Sequence, residues 1–268
     1  MSHKIIQSAS NSELKHLSRL IAQSHYRFQH KLAVLEGIHL IQTFMQAGHS
    51  IQTLYVPQLR VFDSEIAALI AQLPEQKVVF VADYLLDKIS GLVNSKEPVA
   101  IVQLLVGTDK ADIGDVVLLE RVQDPGNVGT ILRSALAAGI DNIVLSKDSV
   151  DVWSPKVLRA AMGAHAYLKI QTVTDLAAWC ADYTCPLYAT ALSTSAKSIY
   201  SLNLTQPAGW LFGNEGSGLS AKILQAVSRH VIIPMSGQTE SLNVAMAATI
   251  CLFEQQRQRL QTRGILDN

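Results

Sequence analysis

The sequence predicts an α/β protein whose larger, C-terminal part is a mostly parallel sheet covered on both faces by helices. Three observations carry this. Short apolar runs alternate with helical segments along the second half of the chain. Those runs are continuous rather than alternating, as strands buried on both faces require. Polar, glycine-containing segments directly follow three of the runs, where ligands bind in sheets of this kind. The 268 residues suit two modest domains, and 49% hydrophobic against 16% charged residues argues against disorder.

The first elements are short. Ser10 and Glu13 have the spacing of a capping box, and Leu14, Leu17, Leu20 and Ile21 recur at helical spacing, which predicts a helix to about His25. Ala33 to Gly37 reads as a strand, Ile38 to Ala47 as a helix closed by Gly48, and Ile51 to Val56 as a strand. Asp63 to Leu73 reads as a helix stopped by Pro74, with strands at Val78 to Val81 and Val99 to Leu105. Residues 1–105 are thus expected to form a small α/β domain.

Val106 to Asp112 is polar and aperiodic, so the domain boundary is placed there and the second domain at 112–268. Strands are expected at Val116 to Leu119, Asn142 to Leu145, Leu187 to Ala191, Trp210 to Phe212 and Val231 to Ile233. Helices are expected at Thr130 to Ala138, Pro155 to Met162, Thr174 to Ala181, Ala221 to Val227 and from Leu242 to about Leu260.

Charge gives no general RNA signal: 22 Lys plus Arg balance 22 Asp plus Glu. Residues 1–60 are locally basic and carry six histidines, a pattern that a solvated helix face explains as well as an RNA footprint does. The three cysteines lack the companions of a zinc site, so no metal is expected and the thiols are read as reduced. Met-Ser-His-Lys leads into a polar segment without a signal-peptide core, and the longest apolar stretch, Leu242 to Phe253, is too short to span a bilayer. A cytoplasmic protein without membrane contact is the expectation.

Chemistry concentrates in three segments, Glu120 to Arg133, Phe212 to Leu219 and Ile233 to Val244. Asp124-Pro125-Gly126 is a turn signal, and Asn127 suits the cap of the helix beyond it. Gly213, Gly216 and Gly218 let backbone approach a ligand closely, while Glu215 supplies a negative charge. Ser241 and Asn243 stand where a helix start leaves backbone N–H groups open. Taken singly, each segment is also an ordinary turn or cap. The glycine order is not the dinucleotide fingerprint, and no G-x-S-x-G elbow surrounds Ser241, which sets aside a nicotinamide dehydrogenase and a serine hydrolase.

Together, the segments resemble the three ordered motifs of the SpoU (TrmH-like) RNA 2′-O-ribose methyltransferases of the SPOUT superfamily. Glu120, Asp124-Pro125, Asn127, Gly129 and Arg133 match the first motif. Gly213, Glu215, Gly218 and Leu219 match the second, and Ile233 to Val244 matches the third without a gap. Weaker similarity at Asn11, Lys15 and Leu35-Glu36-Gly37 resembles the substrate-binding domain of many members.

The resemblance implies a deep trefoil knot, a homodimer and S-adenosylmethionine as cofactor. It implies a cofactor site at Gly213, Ile233 and Leu242, with Phe212, Asn214 and Met235 beside them and Thr190, Ala191 and Leu192 lining the same pocket. The implied catalytic group is Arg133, with Asn127, Glu215, Ser241 and Asn243 orienting it and the ribose. Since a guanidinium stays protonated, Arg133 is read as a clamp on phosphate and developing alkoxide rather than as a base. Arg19, Arg27 and Lys31 are the candidates for RNA phosphate contacts. Large-subunit ribosomal RNA is the favoured substrate, with transfer RNA, or a non-catalytic RNA-binding or ribosome-assembly role, as the alternatives.

Overall fold

The computed structural model of the chain describes residues 5–90, 96–105, 114–239 and 241–265. The polar segment Val106 to Asp112, where the sequence places its boundary, lies outside the described residues. The chain divides into two compact units, Met1–Leu105 with Trp153–Ala166, and Val106–Val152 with Tyr167–Asn268.

The first unit runs β1 (Ile5–Ile6), α1 (Ser12–Ala22), α2 (Ser24–His30), β2 (Leu32–Glu36), α3 (Ile38–Gln46), β3 (Ile51–Pro57), α4 (Ser64–Ile70), β4 (Val78–Val81), α5 (Asp83–Ile89) and β5 (Val99–Gln103). Its sheet has the order β1-β4-β3-β5-β2, with β5 antiparallel to both neighbours and the remaining pairs parallel. Leu14, Leu17 and Leu20 of α1 pack on Val34, Tyr55, Val79 and Ile101 of that sheet.

Three expectations here are corrected. The cap of α1 is Asn11, not Ser10: Asn11 Oδ1 accepts from the Glu13 and Leu14 amides at 2.8 and 3.4 Å. The Ser10 hydroxyl pairs with Ser8 instead. The helix also ends at Ala22, and α2 follows as a separate turn carrying Arg27. Arg27, read from sequence as a phosphate contact, is only 3% exposed. Its guanidinium donates to the carbonyls of Leu20 and Ile21 at 2.6 and 2.9 Å, satisfying acceptors that the end of α1 leaves open.

The rest of the chain runs β6 (Val116–Leu119), α6 (Pro125–Ala137), β7 (Asn142–Ser146), α7 (Pro155–Ala160), β8 (Lys169–Val173), α8 (Leu176–Asp182), β9 (Leu187–Thr190), β10 (Lys197–Ser198), β11 (Gly209–Phe212), α9 (Ala221–Ala226), β12 (Arg229–Ile232) and α10 (Val244–Thr262). Helix α7 belongs to the first unit, where Arg159 pairs with the fully buried carboxylate of Glu36 on β2. The sheet of the second unit has seven parallel strands in the order β10-β12-β9-β11-β6-β7-β8. Its central strands β6 and β11 are buried along their whole length, as their unbroken apolar sequence requires. The strands that sequence reading missed, β8 and β10, are edge strands with polar residues and little burial.

Helices α6 and α10 pack side by side and run parallel: Asn127 meets Asn243, Ser134 meets Thr249 at 2.8 Å, and the Ala137 carbonyl meets Gln256 at 3.3 Å. The far end of α10 is tied to the start of the sheet. Gln255 bridges the Trp210 indole and Asp115, and Arg259 pairs with the same Asp115 carboxylate. No helix among the described residues is long and apolar enough to cross a membrane.

Candidate active site

Because the sheet is parallel, the segments after β6, β9, β11 and β12 all leave from its carboxyl edge. Those after β9, β11 and β12 line one cavity of about 610 Å³. All nine residues that the resemblance assigns to the cofactor line it: Thr190, Ala191 and Leu192 at the end of β9 and beyond, Phe212, Gly213 and Asn214 at the end of β11 and beyond, and Ile233, Met235 and Leu242 after β12. Glu215, Ser241 and Asn243 also face it. Leu219 and Val244 of the motifs line it too, and Leu224, Val231 and Ala247, which the sequence does not single out, complete an apolar wall. Nothing but their position in the fold distinguishes them from core residues.

Backbone geometry explains the glycines. Asn214 and Gly218 exchange amide hydrogen bonds of 3.1 and 2.9 Å, closing a tight loop with Gly218 at φ +66°. A Cβ on Gly213 would lie 2.3 Å from the Gly218 carbonyl carbon, so only glycine admits this closure. Inside the loop, Asn214 Oδ1 accepts from the amides of Gly216 and Ser217, both at 3.0 Å. Its Nδ2 donates to the Arg121 carbonyl at 2.9 Å, which fastens the loop to the segment after β6.

The carboxylate of Glu215 makes the second fastening. It accepts from the backbone amides of Gln123 and Asp124 at 3.2 and 3.0 Å, and from Asn127 Nδ2 at 3.0 Å. Burial raises its pKa, but the hydrogen bonds from Asn127, Asp124 and Gln123 outweigh that and hold the carboxyl below its ordinary value. Asn127 Oδ1 in turn accepts from Asn243 Nδ2 at 2.9 Å. One amide therefore joins the second and third segments, committed at both ends. A carboxylate so occupied and so acidic is a weak proton acceptor.

Two roles read from sequence change. Asn127 is not the cap of α6. The cap is Asp124, whose Oδ1 accepts from the Asn127 amide at 2.8 Å, and the helix starts at Pro125. Freed from capping, the Asn127 side chain reaches across to Glu215 and Asn243. The final helix starts at Val244, with Asn243 as its cap accepting from Ala245 and Met246, so Ser241 precedes the helix rather than opening it. Glu120 and Ser220 went unassigned in the sequence reading. Glu120 is 7% exposed and accepts from the Ser220 amide and hydroxyl at 2.7 and 2.5 Å, fixing the cap of α9.

Arg133 lies on α6, about 9 Å along the axis from Asn127. It is exposed and makes no hydrogen bond or ion pair among the described residues. Arg19 and Lys31, in the other unit, are exposed too; Arg19 stands 5.8 Å over the Tyr26 ring, and Lys31 closes α2 at φ +55°. No group of three or more His, Cys, Asp or Glu among the described residues is placed to hold a metal ion. Burial pushes the Cys180 thiol up to about 12 and raises that of Cys251 as well, so neither is a ready nucleophile.

Comparison with known proteins adds to this geometry. The SpoU rRNA methylase family model matches residues 115–253, and an MRM3-like substrate-binding domain model matches residues 11–100. An uncharacterized tRNA/rRNA methyltransferase of Synechocystis sp. is 33% identical over 95% of this chain and 94% of its own. The 23S rRNA (guanosine(2553)-2′-O)-methyltransferase of Bacillus subtilis is 28% identical over 93% of this chain and 98% of its own. The crystal structure of the SpoU methyltransferase AviRb from Streptomyces viridochromogenes, in complex with the cofactor AdoMet, superimposes with a TM-score of 0.82 at 27% identity, covering 93% of this chain and 98% of that one. With the family model spanning half of its length, the chain belongs to the SpoU rRNA methylase family.

Proposed function

We propose that the chain transfers a methyl group from S-adenosylmethionine to a ribose 2′-hydroxyl of large-subunit ribosomal RNA. The observation that carries this reading is the convergence of the three motif segments on one cavity, joined through Asn127, Glu215 and Asn243. The cavity suits the cofactor: Phe212, Leu219, Leu242 and Val244 give apolar surface for a flat base, and the loop backbones give polar groups for its edge. When bound, S-adenosylmethionine supplies an electrophilic methyl group on sulfur. The substrate class is supported by relatives such as the B. subtilis enzyme, whose name states a guanosine 2′-O target in 23S rRNA.

The chain's own residues then have separable tasks. Glu215 and Asn127 position, since their polar atoms are occupied by the loops they join. Among the described residues, Arg133 is a motif side chain left with an unengaged charge, and it holds the phosphate beside the target ribose and stabilises the oxygen as it loses its proton. Ser241, exposed and without a hydrogen bond among the described residues, contacts the nucleotide.

The same reading includes a trefoil knot in the C-terminal segment and a cytoplasmic homodimer. The insertion of β11 between β6 and β9 supports the former, and the exposed Met246 and Phe253 on α10 support the latter. The test maps ribose methylation across ribosomal and transfer RNA with and without the protein. Loss of one 2′-O-methyl mark in large-subunit RNA is expected, and an unchanged map overturns the reading.

A further inference from the structure

Arg121 comes two residues after β6, and its backbone φ is +53°, in the left-handed region that glycine occupies freely and side chains rarely do. Two other non-glycine residues among those described share this conformation, Lys31 and Met162. Both stand at the ends of helices, where a left-handed residue is an ordinary way to stop. Arg121 ends no helix. Glycine would relieve the strain, so an arginine here is held against the preference of its own backbone.

Its contacts all serve one loop. The Arg121 amide donates to Ser146 Oγ at the end of β7, at 2.9 Å, and its carbonyl accepts from Asn214 Nδ2, also at 2.9 Å. The guanidinium reaches the other end of the loop that Asn214 opens: Nη2 lies 3.4 Å from Ser217 Oγ and 3.5 Å from the Gly218 carbonyl oxygen. Ser217 donates its hydroxyl proton to Asn214 Oδ1 at 3.1 Å, which leaves its oxygen to accept from Arg121. No carboxylate pairs with the Arg121 guanidinium among the described residues, and its Nε is buried without a hydrogen bond. Both Nη2 contacts are at the long end for hydrogen bonds, and movement of the loop by about 0.5 Å toward the guanidinium brings them to ordinary length.

We propose that Arg121 is a positioning residue for the cofactor: gripping the loop at Asn214 and at Ser217-Gly218, it draws residues 213–219 into the form that closes on S-adenosylmethionine. The loop lines the cofactor cavity and Arg121 does not, so the effect falls on cofactor binding rather than on methyl transfer. The proposal needs the cofactor but no particular RNA, and binding of S-adenosylhomocysteine tests it without any substrate.

The experiment compares Arg121→Gly and Arg121→Lys with the parent, as full-length proteins. It reads calorimetric titration with S-adenosylhomocysteine, kcat and KM for S-adenosylmethionine on ribosomal RNA, and thermal unfolding. Arg121→Gly removes the guanidinium and the backbone strain together. It is expected to weaken S-adenosylhomocysteine about tenfold and to raise KM in step, with kcat within about twofold and Tm lowered by no more than about 2 °C. A merely structural role would do the reverse, lowering Tm and the active fraction, and so kcat, while Kd and KM stay where they were. Arg121→Lys keeps a cation without the planar fork that spans both acceptors, and is expected to weaken binding about threefold; it carries the test should the glycine variant fail to fold. S-adenosylhomocysteine affinity within 1.5-fold, about the error of the titration, in every folded variant overturns the proposal, and so does a loss confined to kcat. A change confined to RNA binding, seen as a shallower salt dependence, also overturns it and makes Arg121 a phosphate contact instead. Weakened S-adenosylhomocysteine binding in the variants of a protein that methylates no RNA sustains the proposal and refutes the function.

Discussion

Replacing Asn127 by alanine removes two hydrogen bonds at once, the donation to Glu215 at 3.0 Å and the acceptance from Asn243 at 2.9 Å. Each is worth about 1 kcal/mol net, and water can replace part of it because the site is exposed, so the stability loss is about 1–2 kcal/mol. For a chain of this size that lowers Tm by about 2–6 °C. The effect on turnover is larger, because the bridge sets the relative position of the second and third segments. Misplacement of that kind costs about a hundredfold in kcat. Combined with Glu215→Ala in a double-mutant cycle, the two changes couple by about 0.5–1.5 kcal/mol in kcat/KM. Asn127→Asp adds a sharper test. It sets a second carboxylate where the amide donates to Glu215, so at pH 8 it is worse than alanine, and the gap narrows as acid protonates one of the pair. The assay is methyl incorporation into ribosomal RNA lacking its marks, with thermal unfolding in parallel. If Asn127→Ala stayed within twofold of the parent, or if Asp outperformed Ala at every pH, the bridge would have no role in catalysis.

Four other expectations follow from particular contacts. Arg133→Lys keeps the charge but loses the planar fork, and is expected to lower kcat tenfold or more with Tm shifted by no more than about 1 °C, since the native side chain has no partner among the described residues. Gly213→Ala forces a Cβ to within 2.3 Å of backbone at Gly218 and is expected to cost about 2–4 kcal/mol in denaturant titration and to abolish S-adenosylhomocysteine binding. Arg27→Ala strands the carbonyls of Leu20 and Ile21 and is expected to cost about 2–3 kcal/mol, while the salt dependence of RNA binding keeps the parent's slope. The folded pKa of Glu215 lies below its ordinary 4.5. Its stabilisation is therefore complete above that value and is lost as pH falls through the depressed one, and Glu215→Gln is expected to flatten this part of the acid-unfolding curve.

The sequence by itself determined the elements that bury a continuous or periodic apolar pattern. Strands β4 and β6 begin and end where their valines and leucines do, and the cavity-lining positions from Thr190 to Leu242 were legible through the resemblance of three ordered motifs to a known family, two of which follow the apolar strands that line the cavity. Local chemistry with two equivalent solutions was not legible. Ser10 and Asn11 both suit a cap, and Asp124 and Asn127 both suit the next one; which residue caps depends on the φ and ψ that packing imposes. Arg27 reads as a surface cation until α2 turns it back onto the end of α1. Edge strands β8 and β10 carry no apolar signature because one side of each meets solvent. Only the tertiary structure decided that Asn127, Glu215 and Asn243 join side chain to side chain, across separations of 88 and 116 residues. Such contacts are fixed by strand order, and strand order leaves no periodicity in a sequence.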